Sequence, residues 1–164
     1  SYFTRGSSHD ANAAYTEDGD IYAEVMDRIS LKFKTALKYL PKPEFSSSKK
    51  HKRGLIYLGT TVSAIQEVLD SLHKKGIYLD TMRLKAFPFH DCVKTFIDDH
   101  ELVYVIEQNR DAQLKSLLKI ECNANEAQMH SILSYNGVLI TAQQIETEIL
   151  NSLHSSEATE EVSA

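Results

Sequence analysis

Apolar residues follow two alternating patterns from residue 54 onward. Short apolar runs predict buried strands over residues 55–58, 82–86, 102–106 and 130–135, because a strand covered on both faces needs no polar alternation. Between and after these runs, apolar residues recur every three or four positions, which predicts helices with one apolar face. The alternation predicts an α/β fold: a three-layer α/β/α arrangement around a mainly parallel sheet of four or five strands. The helical apolar positions are Val62, Ile65, Leu69 and Leu72, then Val93, Phe96 and Ile97, then Leu114, Leu117 and Leu118, and finally Ile145, Ile149, Leu150 and Leu153.

The residues before this domain have a different pattern. Residues 1–19 are rich in Ser, Gly, Asn and Asp and predict an extended arm, after which an amphipathic helix runs from Asp20 to Pro41. We interpret Asp18-Gly19-Asp20 as the start of that helix, since it is too short for a calcium loop. The predicted organisation is an arm, helix and linker over residues 1–53, an α/β domain over residues 54–154, and a disordered acidic tail over residues 155–164.

Composition excludes several classes of function. A formal charge of −5 is opposite to the basic excess that nucleic-acid binding requires, so no nucleic-acid partner is predicted. The sequence contains neither an apolar run of about 20 residues nor a leader peptide, which predicts no membrane contact and a cytoplasmic location. Cys92 and Cys122 lack metal-ligand spacing, and no histidine pair lies four residues apart, so no metal site is predicted. The opening at Ser1 suggests a fragment of a longer chain.

Candidate site residues follow the predicted strands, because ligands in open α/β sheets bind at the carboxyl ends of the strands. Gly59-Thr60-Thr61 lies between a strand and a helix, where free N–H groups can hold an anion. The simpler interpretation is a tight turn with Thr60 or Thr61 capping the helix. Gly54 and Gly59 have the spacing of a phosphate loop, but no Lys follows Gly59, so that motif is rejected.

Glu107, Asn109 and Gln113 form a polar end to the most apolar strand. A carboxylate there can serve as a catalytic base; alternatively it caps a helix or bonds across an interface. His9-Asp10 in the arm has the same ambiguity between an acid–base pair and a local structural role.

An ordered series of short segments carries a family resemblance that covers about residues 2–153. The segments are Arg5-Gly6-Ser7-Ser8-His9-Asp10, Tyr15-Thr16-Glu17-Asp18, Asp27-Arg28 with Lys32, Gly59-Thr60-Thr61, Phe87-Pro88-Phe89, and Val105-Ile106-Glu107-Gln108-Asn109 with Gln113-Leu114. The series resembles α subunits of 2-oxoacid:ferredoxin oxidoreductases, and the arm is closest to the 2-oxoglutarate type. Two departures are visible: Ala112 replaces a Gly that usually precedes the Gln, and His90 replaces a second Pro.

The resemblance implies an enzyme that decarboxylates a 2-oxoacid, forms acyl-coenzyme A and reduces ferredoxin. It implies that thiamine diphosphate, magnesium and a 4Fe-4S cluster belong to a partner β subunit, with no cofactor-binding or catalytic residue on this chain. Residues 54–153 then correspond to a transketolase C-terminal-like domain that contacts the β subunit and the first domain of its own α subunit, and ferredoxin through the complex. The interface or loop candidates are Arg5, His9, Asp10, Thr60, Thr61, Glu107, Asn109 and Gln113.

Two alternatives stay open at this point. One is the matching domain of a transketolase-like or 2-oxoacid dehydrogenase E1 enzyme, which uses thiamine without ferredoxin. The other is a free-standing α/β ligand-binding module.

Overall fold

The structure is a computed structural model that describes residues 8–46 and 51–161. The chain divides into two compact units, Ser1–Leu40 and Pro41–Ala164. Within the described residues, every helix is too short or too polar to cross a bilayer.

In its described residues, 8–40, the first unit contains one helix, α1, over Gly19–Ala36. Asp18 caps it: a carboxylate oxygen accepts from the backbone N–H groups of Asp20 (2.9 Å) and Ile21 (3.3 Å). The interpretation of this acidic segment as a helix start is therefore confirmed. No residue of α1 is buried, although its predicted apolar face is present.

The part of the second unit that the structure describes contains one sheet. Its five strands are β1 Glu44–Phe45, β2 Arg53–Leu58, β3 Asp80–Leu84, β4 Leu102–Glu107 and β5 Met129–Leu133. They lie in the order β1-β3-β2-β4-β5, with β1 antiparallel to β3 and the other neighbours parallel. The helices are α2 Val62–Lys74, α3 Asp91–Asp98, α4 Gln113–Cys122 and α5 Ala142–Glu161.

Two apolar clusters, one on each face of the sheet, form the core. On one face α2 and α5 pack against side chains such as Leu55, Tyr104 and Ile132. On the other face α3 and α4 cover side chains such as Met82 and Val105. Right-handed crossovers require this division, because the chain moves in opposite directions along the sheet after β2 and after β3. The predicted three-layer α/β/α fold is confirmed.

Gly54 marks a close approach on the second face. A Cβ atom there would lie 2.7 Å from Cε1 of Phe96 and 3.2 Å from Cγ of His100. The glycine at this position is required for packing of β2 against α3, which agrees with the rejection of a phosphate loop.

The structure differs from the predicted boundaries at both ends of the domain. The segment expected to be a polar linker contains β1, which pairs with β3 through Glu44 opposite Arg83 and Phe45 opposite Met82. Two residues are too few to show a strand pattern in sequence. At the other end α5 continues to Glu161, because Ala and Glu favour helix even without an apolar stripe.

Candidate functional site

A cleft opens at the carboxyl edge of the sheet between β2 and β4. These strands are neighbours, but the chain leaves them in opposite directions, since β2 leads to β3 and β4 leads to β5. Such a point of reversed strand order leaves a crevice outside the sheet, where ligands bind in open α/β folds. Two loops line this cleft: one begins at Gly59, after β2, and the other ends at Gln113, before α4. The cleft has a volume of about 640 Å³.

Glu107 lies at the base of the cleft and caps α4. Its side chain is only 2% exposed. One carboxylate oxygen accepts from the backbone N–H of Leu114 (2.6 Å) and the other from that of Lys115 (3.0 Å). A carboxylate at this place satisfies N–H groups that the first helical turn leaves free, and it complements the positive end of the helix dipole. Of the roles considered for Glu107, the structure favours the cap over the catalytic base.

Asn109 completes the same cap. Its amide nitrogen donates to Glu107 (2.8 Å), and its amide oxygen accepts from the backbone N–H groups of Asp111 (3.1 Å) and Gln113 (3.2 Å). The start of α4 is therefore held by two side chains, one from the last residue of β4 and one from the loop that follows it.

Ala112, directly before α4, has a left-handed backbone with φ 50° and ψ 46°. An L-residue with a Cβ atom is strained there, whereas glycine is not. This conformation gives a physical reason why a glycine suits the position better than the alanine that this chain carries.

We expect Ala112→Gly to stabilise the protein by about 1 kcal/mol, because it relieves the left-handed strain. The measurement is the midpoint of urea unfolding. Ser116→Gly, in the body of α4, is the matched control and should destabilise by about 0.5 kcal/mol. Destabilisation by both substitutions would contradict the strain argument.

Thr60 and Thr61 do not cap α2, contrary to our prediction. Neither hydroxyl makes a capping hydrogen bond to that helix. Instead both accept from the amide nitrogen of Gln108, at 2.9 Å and 3.3 Å. The predicted tight turn is present, with Gly59 at φ 60°. These bonds tie the loop after β2 to the loop after β4 across the mouth of the cleft.

The cleft has a polar, uncharged rim and apolar walls. Gln113 and Thr60 are exposed at the rim, while the walls include the buried Leu114 and the exposed Leu58. None of the described residues that line it is basic. The carboxylate of Glu107 already occupies the N-terminus of α4, so an anion gains little there. The surface suits uncharged, hydrogen-bonding groups.

The arm candidates belong to the first unit. The backbone N–H of Asp10 donates to the Ala14 carbonyl, and its C=O accepts from the Ala13 N–H. Its carboxylate accepts from Asn12 N–H (2.8 Å) and Ala14 N–H (2.9 Å). The imidazole Nδ1 of exposed His9 donates to the Asp10 carbonyl (2.8 Å). Both residues thus stabilise a local turn. Arg5 lies outside the described residues.

A buried polar cluster at the opposite edge of the sheet was missed by sequence reasoning. Asp80, at the start of β3, accepts from His51 through the backbone N–H (2.8 Å) and Nδ1 (2.7 Å). His100, 4% exposed, places Nε2 3.1 Å from Asp80 and donates from Nδ1 to the Phe96 carbonyl (2.6 Å). The partners are 29 and 20 residues from Asp80, and no motif links them.

Both cysteines are free thiols, and burial raises the pKa of Cys92 and of Cys122 above the usual range. Such thiols are poor nucleophiles at neutral pH. Within residues 8–46 and 51–161 there is no cluster of three acidic, histidine or cysteine side chains arranged to hold a metal ion.

Comparison with known proteins gives a result only at the level of structure. No protein-family model matches the chain, and no curated protein matches it in sequence. The structure is similar to a 2-oxoglutarate:ferredoxin oxidoreductase from Magnetococcus marinus, with a TM-score of 0.74 and 19% identity over 92% of this chain. The chain spans 26% of that neighbour, which was solved with 2-oxoglutarate, coenzyme A and succinyl-CoA bound.

A second neighbour is the α chain of a probable 2-oxoacid ferredoxin oxidoreductase from Thermoplasma acidophilum. It is 26% identical over 69% of this chain and 97% of its own, with a TM-score of 0.47, which is too low to bear on the fold. The chain thus shares the α/β fold of the Magnetococcus marinus enzyme.

Proposed function

We propose that this chain is the C-terminal α/β domain of the α subunit of a 2-oxoacid:ferredoxin oxidoreductase of the 2-oxoglutarate type. The observation that carries the proposal is the fold that 92% of the chain shares with the Magnetococcus marinus enzyme. That enzyme is of the same kind as the family that the sequence segments resemble independently of the structure. The reaction would be oxidative decarboxylation of the 2-oxoacid to an acyl-coenzyme A, with reduction of ferredoxin, in the cytoplasm.

Within that enzyme the domain would be structural and would contact other subunits. Glu107 and Asn109, the groups best placed for chemistry, are engaged in capping α4. Apolar side chains are exposed at the same edge of the sheet, with Leu58 at 43% and Phe87 at 41%. A polar rim beside exposed apolar groups is typical of protein–protein interfaces. The partners would be the β subunit and the first α domain, and ferredoxin through the complex.

Thiamine diphosphate, magnesium and the 4Fe-4S cluster would then lie on the β subunit. Thiamine supplies the carbanion chemistry, and the cluster transfers electrons. Isothermal titration of this chain with magnesium and thiamine diphosphate should give no heat of binding. Tight binding of thiamine diphosphate to this chain would contradict the proposal that the cofactor lies on the β subunit.

The interface is tested by Leu58→Arg in the full α chain, purified with a tagged β subunit. We expect affinity for the β subunit to fall by at least about tenfold, because an arginine at the cleft wall blocks an apolar contact. Ile120→Arg is the control, since Ile120 is 74% exposed on α4 and does not line the cleft. Equal affinity of both variants for the β subunit would contradict the proposed interface. Separately, a partner subunit without the cysteines of a 4Fe-4S cluster would favour the transketolase-like alternative.

A further inference from the structure

His100 is a titratable side chain in the interior of the domain, between α3 and the amino edge of the sheet. It is buried, and its ring packs against that of Phe96 with the centroids 4.3 Å apart. Gly54 of β2 is also close, since an added Cβ atom there would lie 3.2 Å from Cγ of the imidazole. Water reaches such a ring poorly, so its polar atoms depend on partners within the protein.

Both ring nitrogens of His100 face oxygen atoms that accept hydrogen bonds. Nδ1 lies 2.6 Å from the carbonyl oxygen of Phe96, and Nε2 lies 3.1 Å from Oδ2 of Asp80. A neutral imidazole has one N–H group, so either neutral tautomer would point a nitrogen lone pair at one of these oxygens. A ring with two N–H groups, the imidazolium form, donates to both.

The other contacts of Asp80 favour a carboxylate over a protonated acid. The backbone N–H of His51 donates to Oδ2 (2.8 Å), and Nδ1 of His51 donates to Oδ1 (2.7 Å). With Nε2 of His100, three donors are directed at the two oxygens. Such a set of donors stabilises the charged form of a carboxyl group, so the proton shared by Asp80 and His100 belongs on the imidazole.

Other charged groups near His100 are exposed or lie on the far face of the sheet. Asp99 and Glu101, its neighbours in the chain, are exposed, and Glu101 pairs with Lys52 (2.9 Å). Arg53 lies on the opposite face, because side chains alternate along β2 and the glycine that follows it faces α3. The charge that faces the ring is therefore that of Asp80. On α3 and on the turn before β5, the charged side chains are also exposed: Asp91, Lys94, Asp98 and Glu126.

We propose that His100 is an imidazolium ion in the folded chain and that its second ring proton stabilises the amino edge of the sheet in a pH-dependent way. The His100–Asp80 ion pair joins the end of α3 to the start of β3. His51 joins the residues before β2 to the same carboxylate. Loss of the proton leaves a lone pair facing an oxygen, which weakens these contacts as the pH rises.

The sign of the pH dependence follows from the number of bound protons. In an unfolded chain a histidine is mostly neutral above about pH 7, whereas the folded chain keeps the second proton on His100. The folded state then binds one proton more than the unfolded state, so a rise in pH favours unfolding. From this group alone the unfolding equilibrium constant increases by up to about tenfold per pH unit. At acidic pH both states are protonated, and the contribution to stability is fully present.

The direct test is long-range ¹H–¹⁵N NMR of the histidine rings in the unaltered chain at about pH 7.5. The ring signals are assigned to His100 by through-bond correlation with its backbone. Both nitrogens of this ring should have the chemical shifts of protonated nitrogen. One protonated and one unprotonated nitrogen would overturn the inference, including the case in which Asp80 holds the shared proton.

The second test is urea unfolding at about pH 6 and about pH 8.5. Over this interval the unfolding equilibrium constant of the unaltered chain should increase at least about tenfold more than that of His100→Gln, because glutamine does not titrate. His51→Gln is the matched control. Its target also bonds to Asp80 but needs one ring proton for that bond, so this variant should keep the pH dependence of the unaltered chain.

Equal pH dependence in the unaltered chain and in His100→Gln would overturn the inference. If His100→Gln fails to fold, the ring shifts of the unaltered chain decide. Neither outcome bears on the proposed function, because the ion pair lies at the amino edge of the sheet and the cleft at the carboxyl edge.

Discussion

Glu107→Ala is expected to destabilise the protein by about 4 kcal/mol, the largest effect of any single substitution proposed for this chain. The change removes the acceptor of the Leu114 and Lys115 N–H groups and of the Asn109 amide. These donors lie around a side chain that is 2% exposed, where water replaces the lost bonds poorly. The measurement is the free energy of unfolding from urea denaturation.

Two companion variants separate capping from a loss of charge alone. Glu107→Gln keeps the shape but turns an N–H donor towards backbone N–H groups, so a loss of about 2 kcal/mol is expected. Glu121→Ala, on the exposed side of α4, should change the free energy of unfolding by less than about 0.5 kcal/mol. A stable Glu107→Ala variant that still assembles but has lost turnover would instead favour a direct catalytic role.

The fold could be predicted from the sequence because its signals are local. Strands such as β4 are continuous apolar runs, and helices such as α2 show a regular apolar stripe. The strand β1 could not be found, since its two residues are held by pairing with β3, which is distant in sequence. Hydrophobic periodicity indicates which residues of one segment are buried, but it does not indicate which other segment that segment pairs with.

The candidate site was predictable in position but less so in detail. The rule that ligands gather at carboxyl ends of strands led to Glu107 and Thr60, and both do line one cleft. The roles differ, because Thr60 bonds to Gln108 from the neighbouring strand end instead of capping its own helix. Which partner a hydroxyl chooses depends on the strand order, and the sequence alone does not determine that order.

The partners of Asp80 could be predicted even less from the sequence. It joins three separate parts of the chain, since His51 precedes β2 and His100 precedes β4, while Asp80 begins β3. The three strands start side by side at the amino edge of the sheet. The cluster therefore fixes the relative positions of the strand starts, a role that only the folded chain reveals.

Asp80→Ala should consequently destabilise the protein by about 3 kcal/mol, as measured by urea denaturation. It leaves the backbone N–H and ring of His51 without their acceptor, and it leaves buried His100 facing a cavity. Asp80→Asn retains one carbonyl oxygen and should have an intermediate effect. Asp70→Ala is the control, because Asp70 is exposed on α2 and accepts only a surface bond from Gln66 (2.8 Å) among the contacts described.

A second measurement tests the positional role of the cluster. In Asp80→Ala, amides near the amino edge of β2 and β4 should exchange faster than in the unaltered protein, whereas the Leu114 and Lys115 amides at the carboxyl edge should keep their protection. In Glu107→Ala the pattern should reverse. If amide exchange becomes faster by the same factor at both edges in both variants, the sheet opens as one unit. In that case neither the Asp80 cluster nor the Glu107 cap stabilises its own edge separately.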